Sequence, residues 1–129
     1  MRVHEGRNFV EATERDEIAD ALSKRRPGEA NEFWLSHGEE RFPAICVFVR
    51  RDVASLIFFP REGHPGFTPS GNPLGLPAGG SQVFLTGVSG KEELKVPNEA
   101  VIPFDRAVDV AVEFAKTQEL PKSIRWFEL

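Results

Sequence analysis

Apolar and polar residues alternate or cluster in this chain with periods that change several times, and each change predicts an element. "ATERDEIADALSKRRPG" carries Ile18, Ala21 and Leu22 at helical spacing on one narrow apolar face, with Arg25 continuing that line. Thr13 is placed to cap this helix. Glu14, Asp16 and Glu17 load its first turn with negative charge, and Pro27-Gly28 stops it. "NEFWLSH" then alternates with period two, setting Phe33 and Leu35 on one face and Trp34 and Ser36 on the other. "FPAICVFVR" and "VASLIFF" are nearly continuous runs of β-branched and aromatic residues, the pattern of central strands. The short polar turns "GEER" and "RRD" separate these three strands and argue for an antiparallel meander.

"SQVFLTG" and "ELKVP" predict a second hairpin around Val88-Ser89-Gly90. "PFDRAVDVAVEFAKTQ" has the strongest helical period. Ala107, Val110, Ala111, Phe114 and Ala115 line one face, Asp105, Arg106, Asp109, Glu113 and Lys116 lie mostly on the other, and Pro121 is expected to end it. "SIRWFEL" closes the chain as a short strand. The expected fold is α+β: a single domain, residues 1–129, with an antiparallel sheet of about five to six strands covered on one side by two helices.

One stretch has no such period. "PREGHPGFTPSGNPLGLPAGG", residues 60–80, holds five prolines and six glycines. Loops longer than about 12–15 residues are uncommon in compact domains and tend to be functional or disordered. Phe67, Leu74 and Leu76 are embedded in it, either as contacts for a partner or as packing that folds the loop back onto the sheet.

Composition removes several function classes. At 129 residues with 40% hydrophobic and 28% charged side chains, the chain suits one soluble core without metals or disulfides. A formal charge of −4 disfavours direct nucleic-acid binding, which needs a basic stripe to neutralise phosphates. The best basic run, Lys24-Arg25-Arg26, sits at a helix end, where it complements the dipole. Cys46 is the lone cysteine and lies within "AICVFV", so it reads as a small buried hydrophobe whose thiol is hard to ionise. No apolar h-region follows "MRVHEGRNF", and no run of about 18 apolar residues would span a membrane. A cytoplasmic, reduced location is the expectation.

No catalytic or cofactor motif in the sequence is complete. The 60–80 loop has no lysine for a phosphate-binding loop, and Gly90-Lys91 is followed by glutamate. His4, His37 and His64 are scattered, with a weak His64–Glu62 pair as the nearest approach to a metal site. No activated nucleophile or selectively perturbed carboxylate pair stands out. The expectation is no cofactor, no metal and no enzymatic activity. The rival reading is a small ligand-binding or enzymatic domain with the 60–80 loop covering a pocket.

Acidic residues recur at the expected turns: Glu39, Glu40, Asp52, Glu62, Glu92 and Glu93. Trp34, facing away from Phe33 and Leu35, either packs under a helix, as tryptophan mostly does, or lies on an open sheet face.

The stretch "NEFWLSHGEERFPAICVFVRRDVASLIFF", the "SGN" of the loop and "VPNEAVIPFDRAVDVAVEFAKTQELPKSIRWFEL" together resemble the immunity proteins of polymorphic bacterial toxins. More narrowly, the chain is similar to the first-numbered family of that series, which includes immunity proteins against deaminase toxins. The resemblance runs from about Thr13 to Leu129. Its marks are Phe33 and Leu35, Phe42-Pro43, Asp52, Gly71-Asn72, and the "TQELP" that leads into Trp126-Phe127-Glu128-Leu129. It implies a non-enzymatic protein that binds a cognate toxin domain and blocks its active site or substrate surface, with no membrane and no nucleic acid as direct partner. On that reading Phe67 is the first expected anchor and Trp34 the second, while Glu39, Glu40, Asp52 and Glu62 steer the encounter or stand in for phosphates.

Overall fold

The structure, a computed structural model, describes residues 1–24, 31–87 and 91–129. In chain order the elements are β1 (Arg2–Glu5), β2 (Asn8–Glu11), α1 (Arg15–Leu22), β3 (Glu32–Ser36), β4 (Ala44–Arg50) and β5 (Val53–Phe59).

 They are followed by β6 (Phe67–Pro69), β7 (Ser81–Thr86), β8 (Glu92–Pro97), a 3-10 turn (Asn98–Ala100), β9 (Ile102–Pro103), α2 (Phe104–Thr117) and β10 (Trp126–Glu128). The α+β class stands, with more strands than the five or six expected. Eight strands form one antiparallel sheet, ordered β10-β6-β5-β4-β3-β1-β2 with β9 beside β5, and β7-β8 form a separate two-stranded sheet. The extra strands are short. β1 buries a single side chain, Val3, and β2 buries none, so their alternation is too weak to stand out in the sequence.

The three central strands pair as the meander predicted, Phe33 with Val47 and Val47 with Leu56. Alternate residues of β4 and β5 enter two different cores, which explains their unbroken apolar runs. On one face Phe33, Leu35, Val47, Leu56 and Phe58 pack against Ile18 and Leu22 of α1 and Val110 and Phe114 of α2. On the other, Cys46 and Phe48 pack against Phe84, Val96 and Val101. The β7-β8 hairpin therefore covers part of the face opposite the helices, and the Arg50 guanidinium ties it down by donating to the Val83 carbonyl at 3.0 Å.

Both helices form where expected, with different ends. Helix α1 is capped by Glu14 and not by Thr13. The Glu17 carboxylate turns back to accept from the backbone N–H groups of Glu14 (3.1 Å) and Thr13 (3.3 Å), which also holds its pKa below the usual carboxylate value. The expected stop at Pro27-Gly28, the Arg25-Arg26 part of the basic run and the Val88-Ser89-Gly90 turn lie outside the described residues. Helix α2 ends before Pro121, at Gln118, whose left-handed backbone (φ 56°) closes the last turn through a bond from its N–H to the Phe114 carbonyl.

The Gly/Pro-rich stretch is pinned along much of its length. Phe67–Pro69 forms a strand between β5 and β10, and the Leu129 N–H donates to the Gly66 carbonyl. Gly66 has φ 103°, and a Cβ there would lie 2.5 Å from Ile57 Cγ2, so no other residue fits this approach of loop to strand. Further along, the Asn72 amide both accepts from and donates to the Leu76 backbone, at 2.9 and 2.7 Å. The buried Asn98 amide donates to the Pro77 carbonyl at 2.7 Å, and Leu76 packs into the second core. Leu76 thus takes the packing role, while Phe67 rests one side on the helix-side core and leaves the other partly exposed.

Candidate functional site

In an antiparallel meander successive turns fall at opposite ends of the sheet. The β3–β4 turn, residues 37–43, and the segment leaving β5 at Pro60 share one end, and the C-terminal end of α2 reaches the same region. A groove of about 460 Å³ lies between His37, Glu39, Glu40, Pro43 and Gln118. A second of about 420 Å³ continues past Pro43 and Gln118 to Phe58, His64, Phe67 and Glu128. Both are open to solvent.

Glu39, Glu40 and Glu62 are exposed at this end. Asp52 occupies the two-residue turn of the β4–β5 hairpin at the opposite end, where its carbonyl accepts from the Phe104 N–H at 2.8 Å. The acidic residues singled out in the sequence are thus one group of three with a fourth set apart.

Trp34 lies on the open sheet face, 39% exposed, and not under a helix. It stands across from His4 on one side and Cys46 on the other, and its ring stacks on Phe59 with centroids 5.7 Å apart and planes at 15°. The strip continues toward the sheet edge. His4 lies 5.3 Å from Phe9, itself 47% exposed, and the Arg2 guanidinium sits 4.5 Å over the Phe9 ring while pairing with Glu11 at 3.2 Å. Phe9 and Phe59 were not singled out in the sequence; for Phe9 the missing signal was a strand with no buried residue.

Phe67 is half-buried against the helix-side core, its ring 6.1 Å from Phe58 and stacked on His64 at 5.2 Å and 7°. His64 pairs with Glu128 at 2.9 Å, and not with Glu62 as the sequence suggested, because β10 brings Glu128 beside β6. Cys46 is buried, and burial first, then the neighbouring Glu32 carboxylate, pushes its thiol well above the ordinary range. That is the wrong direction for a nucleophile at neutral pH.

His37 joins the groove to the core. Its ring meets Phe114 edge-on at 4.8 Å, and Nε2 lies 3.3 Å from the Ala115 carbonyl. Burial lowers its pKa and the Ala115 bond opposes that shift. A histidine depressed in the folded state contributes stability above its unfolded pKa, about 6.5, and that contribution is lost as pH falls through the folded value. Wild-type protein is therefore expected to lose more thermal stability between pH 7.5 and pH 5 than His37→Phe, which keeps a ring against Phe114. Parallel melting curves across that range would show that His37 carries no such linkage.

Among the described residues, no helix is long and apolar enough to cross a membrane. The family profile described as Immunity protein Imm1 matches residues 6–128. Among curated proteins, the chain is 28% identical over 120 residues to a double-stranded DNA deaminase immunity protein of Burkholderia cenocepacia (strain H111), with 93% of each chain covered.

Proposed function

The chain belongs to the Imm1 family of immunity proteins, and from that premise we propose that it neutralises a cognate toxin domain by binding it and covering its active site or substrate surface. The family match over residues 6–128 is the observation that carries this reading. The toxin we propose is a deaminase acting on DNA, the activity named for the Burkholderia relative. This protein then works by binding, with no chemical step of its own, in the compartment where the toxin would otherwise act.

The contacts we propose are Glu39, Glu40 and Glu62 with Trp34, reinforced by the half-exposed edge of Phe67 in the adjoining groove. An enzyme that holds DNA presents a basic groove, and exposed carboxylates suit such a surface where phosphates would sit. Their charge speeds encounter and selects the partner, while the desolvated aromatic groups supply most of the affinity. Asp52, at the far end of the sheet, contributes to the long-range field and not to the same footprint.

The test is calorimetry with the toxin domain encoded beside this gene, joined to a rescue assay in cells expressing that toxin. A dissociation constant in the nanomolar range or below, with rescue, is expected. Absence of both binding and rescue would sink the proposal. Binding and rescue against a toxin that leaves DNA bases intact would keep the immunity role and remove the deaminase.

A further inference from the structure

We infer that the toxin seats on the uncovered half of the sheet face opposite the helices, with Trp34 and Phe59 at its centre and Phe9 at its edge. This rests on the immunity reading above and adds the face, with a residue set from the N-terminal hairpin that the sequence did not single out. The β7-β8 hairpin and the residues after it cover Cys46 and Phe48, which are buried. One strand further out the same face is uncovered: Trp34 is 39% exposed and Phe9 47%. A sheet face whose apolar centre is half-covered by its own chain and half by nothing among the described residues has the composition of an interface core.

The surrounding polar groups are already held in place. Arg2 is fixed between Glu11 and the Phe9 ring, and His4 Nε2 lies 3.2 Å from Ser36 Oγ. A partner that covers them meets groups whose hydrogen bonds are made and whose rotamers are set, which reduces the ordering cost of binding. Three exposed carboxylates against the two exposed guanidinium groups of Arg41 and Arg61 leave the turns beside the strip acidic, which favours a basic occupant. Glu39 and Glu40 stand in the turn that leaves β3 two residues beyond Trp34's neighbour Leu35, and Glu62 in the segment that leaves β5 after Phe59. None of these three carboxylates has an ion-pair partner among the described residues. A second copy of a chain with net charge −4 would bring like charges against them, whereas a basic, nucleic-acid-handling domain would bring their counterpart.

The experiment uses the full chain and the neighbouring toxin domain, with wild-type binding measured first. Trp34→Glu is expected to weaken binding by about 100-fold or more and Phe9→Glu by about 10-fold or more, with melting temperatures close to wild type. Leu85→Glu on the outer side of β7, an exposed apolar position that points away from this face, is expected to stay within about threefold. Wild-type binding that survives both Trp34→Glu and Phe9→Glu would overturn the face and leave the immunity role standing. Failure of wild type to bind would instead remove the reading on which this inference rests. Light scattering is the second readout. A wild-type dimer that Trp34→Glu converts to monomer would assign the face to a second copy and overturn the choice of occupant.

Discussion

Phe114→Ala is expected to cost about 3–5 kcal/mol of unfolding free energy, the range for truncating a fully buried phenylalanine. Phe114 has no exposed surface and stands where three parts of the molecule meet. Its ring is edge-on to Phe58 of β5 at 5.9 Å and to His37 of the β3–β4 turn at 4.8 Å, and its carbonyl accepts the bond that closes α2 at Gln118. Phe58 is fixed in the central strand β5 and Phe114 itself in α2, so the cavity has little room to collapse. Urea unfolding should show a lower midpoint with an unchanged slope, and the melting temperature should fall by about 10–20 °C. A loss below about 1 kcal/mol would mean that the joint between α2 and the sheet repacks freely. The same substitution removes the ring against which His37 lies, so it should also weaken the acid sensitivity assigned to that histidine.

Much of this fold was legible because burial on one side of an element leaves a period in the sequence. Ile18, Ala21 and Leu22 marked α1, and Ala107, Val110, Ala111 and Phe114 marked α2. The runs of β4 and β5 read as central strands because each faces a core on both sides. The elements that escaped are held by backbone pairing instead. β6 has only three residues, yet it bridges β5 and β10, and nothing in "GFTPSG" announces those bonds. The loop after it is shaped by Asn72 and Asn98, whose amides bond carbonyls that no hydrophobic pattern records.

The candidate site was legible in its parts and not in its assembly. Alternation in β3 put Trp34 opposite Phe33 and Leu35, and the face it occupies is the one free of helices. The separation of Asp52 from Glu39 and Glu40 follows from the meander itself, since consecutive hairpin turns alternate ends. What the sequence withheld is the company Trp34 keeps. Phe59 reaches it diagonally across β4, and His4 and Phe9 arrive on two strands too short and polar to predict. Phe67 illustrates the opposite case: a loop aromatic that suggests a partner is half-buried by its own strand, its histidine neighbour and the helix-side core.

Phe84→Ala is the second substitution with a large expected effect, again about 3–5 kcal/mol by the size of the buried ring, but with a different reach. Phe84 is fully buried and sits with Cys46, Phe48, Val96 and Val101 in the core on the face opposite the helices. That core is small, and among the described residues β7-β8 is a separate sheet that pairs with no strand of the larger one. Truncation should therefore release the hairpin before it unfolds the helix-side core. Hydrogen exchange is expected to lose protection across Ser81–Thr86 and Glu92–Pro97 while β3 and β4 keep most of theirs. Loss of protection in both regions together would mean that the two cores unfold as one cooperative unit. Detachment of the hairpin would also expose Cys46 and Phe48 beside Trp34, extending the open apolar face across the sheet. The variant should then bind apolar dyes and self-associate more than wild type, because the hairpin sets the boundary between the half of the face that the chain covers for itself and the half left open.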